Sequence, residues 1–147
     1  MADISKEIEL GVGLGKLRFG MTPQMVIDLL GEPDDKEREE YSKDDPDFFT
    51  EEWHYDELEL SISFDMVMEM ELSTISVSSP SYTLEGKTLI GMDRKTVDAE
   101  LKAMDINNQW EEFKEIDDDS DLLSNENEGL SLWYEKGKLK EIQWEML

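Results

Sequence analysis

The residues of this sequence that could do chemistry are mostly carboxylates, and their densest run is "DDDSDLLSNENE", residues 117–128. Its acidic residues fall at positions 1, 3, 5 and 12 of a calcium-binding loop of the EF-hand type. These are Asp117, Asp119, Asp121 and Glu128. Position 6 is Leu122, where the sharp turn of such a loop needs glycine, and strands rather than helices are expected on either side. A calcium-binding or hydrolytic protein using residues 117–128 is therefore the alternative interpretation, and a solvated acidic loop is the simpler one.

The other candidate chemical features are a single histidine and a glycine-rich run. A Ser–His–carboxylate triad around His54 is formally possible, but nothing in the sequence resembles a nucleophile elbow. We expect His54 on a strand surface, beside Trp53 and Tyr55 in "EEWHY". The run "GVGLGKLRFG" lacks the spacing of a dinucleotide loop or a P-loop, so we expect only an irregular lead into the first strand. The sequence thus predicts no enzyme, no catalytic residue, no cofactor and no metal site.

Composition limits the partners of the protein. The 147 residues carry a formal net charge of -24, from 14 Lys+Arg against 38 Asp+Glu. Such a surface repels nucleic-acid phosphates and anionic membranes and attracts cationic partners, although the same charge can serve solubility alone. There is no cysteine and no apolar stretch long enough to span a bilayer, and we expect that "MADISKEIEL" is not a signal peptide. We expect a cytoplasmic protein with no nucleic-acid or membrane partner.

The acidic residues are concentrated in two segments. Residues 34–59 and 111–128 together contain 22 of the 38 acidic residues. Each segment lies between a predicted helix and a predicted hairpin, so we expect the two to flank one edge or one face of a sheet. Flexible loops solvated by charge would give the same pattern.

A repeated element positions these groups: "LRFGMTPQMVIDLLGEPD" has a second version, "TLIGMDRKTVDAELKAM". In the first version Thr22 is the expected helix N-cap, Pro23 the first helical residue and Gly31 the residue that ends the helix. Met21 and Val26 have the spacing of a hydrophobic staple.

The second version follows the same pattern with different residues. Asp93 is the expected N-cap, Met92 and Val97 form the staple, and Leu101 and Met104 complete the apolar face. A glycine precedes each helix, Gly20 in one and Gly91 in the other, where the chain turns sharply and a side chain would clash.

Alternating residues predict the strands that follow each helix. "LELSISFD" and "GLSLWYEKGKLKEIQWEML" alternate apolar and polar positions, which is typical of half-buried strands. Leu72 to Ile75 and Leu139 to Ile142 share a three-residue step, which predicts a bulge in both hairpins. An additional strand is expected from "EEWHY" or "EEFKEI". The fold class is therefore α+β, with two similar halves of strand, helix and antiparallel hairpin, residues 1–79 and 80–147, whose helices pack on one face of an antiparallel sheet.

The sheet face opposite the apolar one should carry mostly small polar residues. These are Ser61, Ser63, Ser76, Ser131, Gln143 and Trp133. An open antiparallel sheet needs only one covered face, so exposure to solvent is the simpler interpretation. Trp133 favours a binding surface, because tryptophan is enriched at binding hot spots.

The element "GLGKLRFGMTPQMVIDLLGEPD" resembles the Gly-Met-[Thr/Ser]-x-x-x-Val-x-x-x-Leu-Gly-x-Pro pattern of two related groups. These are the SmpA/OmlA-type small outer-membrane lipoproteins and the β-lactamase-inhibitor-protein-like (BLIP-like) fold, which uses tandem copies. The resemblance implies a fold whose members act by binding other proteins. The chain differs from the lipoproteins in having no lipid-bearing cysteine. The layout ending in "LSLWYEKGKLKEIQWEML" also resembles cytoplasmic bacterial immunity proteins of polymorphic toxins.

The sequence therefore predicts a non-enzymatic protein-binding module, an acidic immunity-type inhibitor of a basic toxin domain. A structural protein without a dedicated partner is a further alternative. The residues expected to contact the partner are Trp133, Ser61, Ser63, Gln143, Asp117, Asp118, Asp119, Asp121, Glu51 and Glu52.

Overall fold

Over the residues that it describes, the computed structural model of the chain shows an α+β fold with two sheets of mostly antiparallel strands and two helices. It describes residues 6–40, 44, 49–66, 70–106, 111–113, 120–125 and 128–146. No helix within these residues is long and apolar enough to cross a membrane.

The two helices are α1 (Pro23–Leu30) and α2 (Arg94–Ala103). The strands are β1 (Glu7–Glu9), β2 (Gly13–Leu14), β3 (Leu17–Arg18), β4 (Asp35–Glu40), β5 (Phe49–Tyr55), β6 (Leu60–Met66), β7 (Met70–Val77), β8 (Thr83–Leu84), β9 (Lys87–Thr88), β10 (Glu111–Phe113), β11 (Ser120–Asn125), β12 (Leu130–Glu135) and β13 (Lys138–Glu145).

The larger sheet has the strand order β10-β11-β12-β13-β7-β6-β5-β4, and all of its pairs are antiparallel. Two four-stranded meanders, β4 to β7 and β10 to β13, meet at the β7·β13 pair. The smaller sheet has the order β3-β2-β1-β8-β9, in which only β1 and β8 are parallel.

Strands form in the described parts of both acidic segments, where the sequence indicated loops apart from one strand at "EEWHY" or "EEFKEI". The residues "EEWHY" form part of β5, and the first three residues of "EEFKEI" form β10. The strands β4 and β11 were not expected. The two segments do not flank one edge, because β4 and β10 lie at opposite edges of the larger sheet. Tertiary pairing thus overrides the weak intrinsic strand preference of charged residues.

Both helices begin as the sequence predicts. The Thr22 hydroxyl accepts a hydrogen bond from the Met25 N–H at 3.3 Å, and the Asp93 carboxylate accepts one from the Thr96 N–H at 2.8 Å. The hydrogen bond from the Thr96 backbone lowers the pKa of Asp93. Each cap satisfies an N–H that the first helical turn leaves unpaired.

The corner before each helix needs glycine for its backbone conformation. Gly20 has φ +92° and Gly91 has φ +96°, a region that other residues rarely adopt. The expected side-chain clash is wrong, because a Cβ added at either position would meet nothing within 4 Å.

Each corner is hydrogen-bonded to a strand of the larger sheet. The Gly20 N–H donates to the Leu72 carbonyl, and the Leu72 N–H donates to the Met21 carbonyl, both at 2.9 Å. The Gly-Met pair of the second corner bonds Leu139 in the same way, at 2.7 and 2.9 Å. The repeated Gly-Met element is therefore a backbone clamp between a helix and the sheet.

The predicted bulges are confirmed, and they adjoin these clamps. The register of β6 and β7 shifts so that Ser73 is extra, and the register of β12 and β13 shifts so that Lys140 is extra. The extra residue returns the next apolar side chain to the buried face, which explains the three-residue step in both strands.

The glycine-rich run forms the β2·β3 hairpin instead of an irregular lead. Gly13 has no room for a side chain, because a Cβ there would lie 2.0 Å from the Leu17 carbonyl oxygen. The Gly13 carbonyl accepts a hydrogen bond from the Trp144 indole at 3.1 Å, which joins the smaller sheet to the larger one.

A single hydrophobic cluster runs through the molecule. It combines the alternating apolar residues of the larger sheet with Val26 and Leu30 of α1 and Val97 and Leu101 of α2. The alternation predicted for the two hairpins is confirmed, although Leu58 lies in a turn and the first strand of its hairpin begins at Leu60.

Two tyrosines of this cluster donate hydrogen bonds to backbone carbonyls. The Tyr82 hydroxyl donates to the Leu58 carbonyl at 2.6 Å, and the Tyr55 hydroxyl donates to the Gly31 carbonyl at 2.9 Å. Burial raises the pKa of both phenols from the usual 10.0 to about 12. For Tyr82, the nearby carboxylate of Glu59 raises the pKa further.

We expect Gly20→Ala and Gly91→Ala each to lower the free energy of unfolding by about 1 to 3 kcal/mol, because alanine is strained at these φ values. Urea denaturation measures the change. Gly137→Asn is the control, since hairpin turns accept asparagine at positive φ. Unchanged stability of both alanine variants would show that the corners relax without glycine.

We expect stability to fall as the pH rises from 10 to 12. The unfolded chain loses its tyrosine protons near pH 10.0, whereas the folded chain holds them on Tyr55 and Tyr82 to about 12. Tyr82→Phe should lower stability by about 1 kcal/mol at neutral pH through the lost hydrogen bond and should reduce the alkaline loss. An identical alkaline profile for this variant in urea titrations would contradict the assignment.

Candidate functional site: the polar face of the larger sheet

The face of the larger sheet that points away from the hydrophobic cluster is built from polar residues, and we call it the polar face. Residues directly opposite in an antiparallel register lie on the same face. One row of such partners crosses all eight strands: Asp35, His54, Ser61, Ser76, Gln143, Ser131, Ser124 and Glu111. The expected grouping of small polar residues on one face is therefore correct.

Trp133 also lies on the polar face. Its neighbours in β12, Leu132 and Tyr134, are buried, whereas Trp133 is partly exposed and lies opposite Leu122 and Glu141. The register thus places the Trp133 ring on the polar side of the sheet.

The charges of the edge strand β4 are sorted between its two faces. Lys36 and Arg38 turn to the apolar side, where the Lys36 ammonium lies 4.6 Å from the Trp53 ring centroid and the Arg38 guanidinium 3.5 Å from that of Phe49. The intervening residues therefore point to the polar face, and they are Asp35, Glu37 and Glu39. Cations that cover the edge of the core thus leave the polar face with carboxylates alone from this strand.

Other strands add further acidic groups to the polar face. By register these are Glu52, Asp65, Glu71, Glu111, Glu135, Glu141 and Glu145. The nearest lysines, Lys138 and Lys140, lie at one end beside Glu135. The polar face is therefore strongly negative over most of its length.

The structure brings only part of the expected contact set together. Glu52 lies on the polar face, but Glu51 points to the apolar side and accepts a hydrogen bond from the Trp53 indole at 2.6 Å. Asp121 also points away from the polar face, with its carboxylate 3.7 Å from the Arg94 guanidinium. It belongs to strand β11, so this part of the acidic run is not a loop. Asp117, Asp118 and Asp119 lie outside the described residues.

Sequence reasoning missed one polar cluster on this face. His54 Nδ1 lies 2.8 Å from Ser61 Oγ, and Nε2 lies 3.2 Å from a Glu52 oxygen and 3.3 Å from a Glu37 oxygen. The cluster depends on the register of β4 with β5, and β4 was not expected to be a strand. Only the alternation of acids in "DKEREE" could have indicated it.

These distances match those of a Ser–His–carboxylate triad, but the surroundings of Ser61 do not suit acyl transfer. Such chemistry needs backbone N–H groups aimed at a developing oxyanion. Ser61 lies within β6, between β5 and β7, where N–H groups are used by the sheet. His54 is on a strand surface next to Trp53 and Tyr55, as expected.

No protein-family model matches the chain, and no match exists among curated proteins or solved structures. The likeness of the Gly-Met corners to the BLIP-like fold stays a prediction. Function has to be inferred from the residues of the polar face.

Ser76, in the middle of the polar face, carries an unpaired hydroxyl. The residue is 8% exposed, and its Oγ has no hydrogen-bond partner among the described residues. A buried hydroxyl without a partner destabilises the folded state, since it has lost its hydrogen bonds to water.

We expect Ser76→Ala to raise the free energy of unfolding by about 1 kcal/mol, since the variant removes this unpaired group. Ser131→Ala, on the same face but partly exposed, should leave stability unchanged. A clear loss of stability in Ser76→Ala during chemical denaturation would mean that the hydroxyl is paired in solution.

Proposed function

We propose that this chain is a non-enzymatic protein-binding module whose polar face binds a basic protein, in the manner of an immunity-type inhibitor of a toxin domain. One observation carries the proposal: β4 turns Lys36 and Arg38 to the apolar side of the sheet and Asp35, Glu37 and Glu39 to the polar face, which is therefore negative. A face needed only for solubility would not have to separate its charges in this way.

Two features of the polar face would contribute to binding in different ways. The carboxylates would steer a cationic partner and raise the rate of encounter. Trp133 would supply the desolvated contact that holds the complex, since partly exposed tryptophan is typical of binding hot spots. A nuclease domain is a suitable partner because its phosphate-binding surface is cationic. Such a role places the protein in the cytoplasm.

The alternative, a calcium-binding or hydrolytic protein built on residues 117–128, gains no support from the described part of that segment. Residues 120–125 pair with β12 along their whole length. A calcium loop of the EF-hand type needs a sharp turn there instead.

We also propose that the chain consists of two similar halves whose helices cover the apolar face of the larger sheet. The supporting features occur twice: a side-chain N-cap, a Gly-Met clamp and a bulge one residue after the clamped leucine. The central pairs of β7 and β13 are also symmetric, because Ile142 opposes Val77 and Trp144 opposes Ile75, on either side of the Ser76–Gln143 pair.

We expect fragments 1–79 and 80–147 to be unfolded when each is expressed alone. Separation would expose the β7 or β13 edge and would divide the smaller sheet, so neither fragment would keep a sufficient core. Far-UV circular dichroism and amide NMR dispersion measure this. A cooperative unfolding transition in either fragment would show independent domains.

The binding proposal is tested by co-expression with the C-terminal domain of a toxin encoded beside the gene for this chain. We expect survival of the cells and co-purification of the two proteins. The variant Glu71→Gln/Glu141→Gln/Glu145→Gln should slow association about tenfold at low salt and much less at high salt, because it removes steering charges. Trp133→Ala should weaken affinity by about 2 kcal/mol.

The matched control is Glu40→Gln/Glu51→Gln/Asp121→Asn, which removes three charges from the opposite side of the sheet. Stopped-flow association rates should distinguish the two variants. Equal rates for both would show that net charge, not the polar face, attracts the partner, and no protection of the cells would remove the immunity role.

A further inference from the structure

One group of side chains on the polar face has the composition of a metal site. Glu37 on β4 and Glu52 on β5 are directly opposite in register, and His54 lies two residues further along β5 on the same face. Each residue offers one ligand atom, and the three atoms lie within 4.8 Å of one another. His54 is partly buried, and the two glutamates are more exposed.

The spacing of these atoms fits a small transition-metal ion. A tetrahedral zinc ion with bonds of about 2.0 to 2.1 Å holds its ligand atoms about 3.3 Å apart. The His54 Nε2 atom lies 3.2 Å from Glu52 and 3.3 Å from Glu37. Two carboxylates and one imidazole would thus supply three ligands to such an ion, and water would supply the fourth.

The surroundings of the imidazole favour the same assignment. Ser61 Oγ lies 2.8 Å from Nδ1, the nitrogen that faces away from the carboxylates. When Nδ1–H donates to this hydroxyl, the Nε2 lone pair points toward the two carboxylates and is available to bind a cation held between them. A hydrogen bond from the second ring nitrogen is also the usual way in which proteins orient a metal-binding histidine.

We propose that Glu37, Glu52 and His54 bind one divalent transition-metal ion, with zinc as the ion of best fit. The imidazole disfavours calcium and magnesium, which prefer oxygen ligands alone. Ser61 is a positioning residue that fixes the imidazole ring. The site stands apart from the proposed protein-binding function, because its formation requires no partner.

Calorimetric titration of the full chain with zinc chloride tests the site. We expect one ion per chain in a saturating transition, with affinity reduced about tenfold or more in His54→Gln and in Glu52→Gln. Ser61→Ala should lose about tenfold and keep the same stoichiometry. Glu39→Gln is the matched control, since it removes one acid from the same strand and face and should bind as the parent does.

Proton and nitrogen NMR of the unmodified chain provides a second readout that needs no variant. The sequence has one histidine, so every imidazole signal comes from His54. Zinc should shift the Nε2 resonance strongly and leave Nδ1 protonated. Competition by calcium as strong as by zinc, binding to His54→Gln equal to the parent, or an unshifted imidazole at saturating zinc would each overturn the proposal.

Discussion

The backbone pairing of β7 with β13 is the contact on which the rest of the structure depends. It joins two four-stranded meanders, so it alone makes one continuous row of side chains from Asp35 at one edge to Glu111 at the other. The bulges at Ser73 and Lys140 lie in the same two strands, and each follows a leucine that is clamped to a Gly-Met corner. Pairing, bulge and clamp together decide which side chains face the core and which form the polar face.

Charge on this protein is therefore organised by strand alternation. Along β4, the cations lie over Trp53 and Phe49, while Asp35, Glu37 and Glu39 point to the polar face. The same charged residues protect an exposed edge, because a strand whose six side chains are all exposed and charged is a poor template for pairing with another chain. A negative polar face and a protected sheet edge thus come from one sequence pattern.

Short-range sequence patterns made much of the fold predictable. The caps at Thr22 and Asp93, the positive φ of Gly20 and Gly91, and both bulges follow from residue types and short spacings. The strands β4 and β11 were not predicted, because charged segments have a weak strand preference and pair here with partners distant in the sequence. The candidate site was likewise predictable only where local sequence patterns determine it. The polar position of Trp133 was predictable from alternation, whereas the opposite orientations of Glu51 and Glu52 and the His54 cluster required the register of the sheet.

The most direct measurement of the central claim is indole NMR of the chain in the presence of the toxin domain that we propose it inhibits. Trp133 lies on the polar face, whereas the Trp144 indole is buried and bonded to Gly13. A polar face that binds the partner predicts a large shift or broadening of the Trp133 Nε1–H signal and an unchanged Trp144 signal. A complex in which the Trp133 signal stays at its free position would contradict the claim.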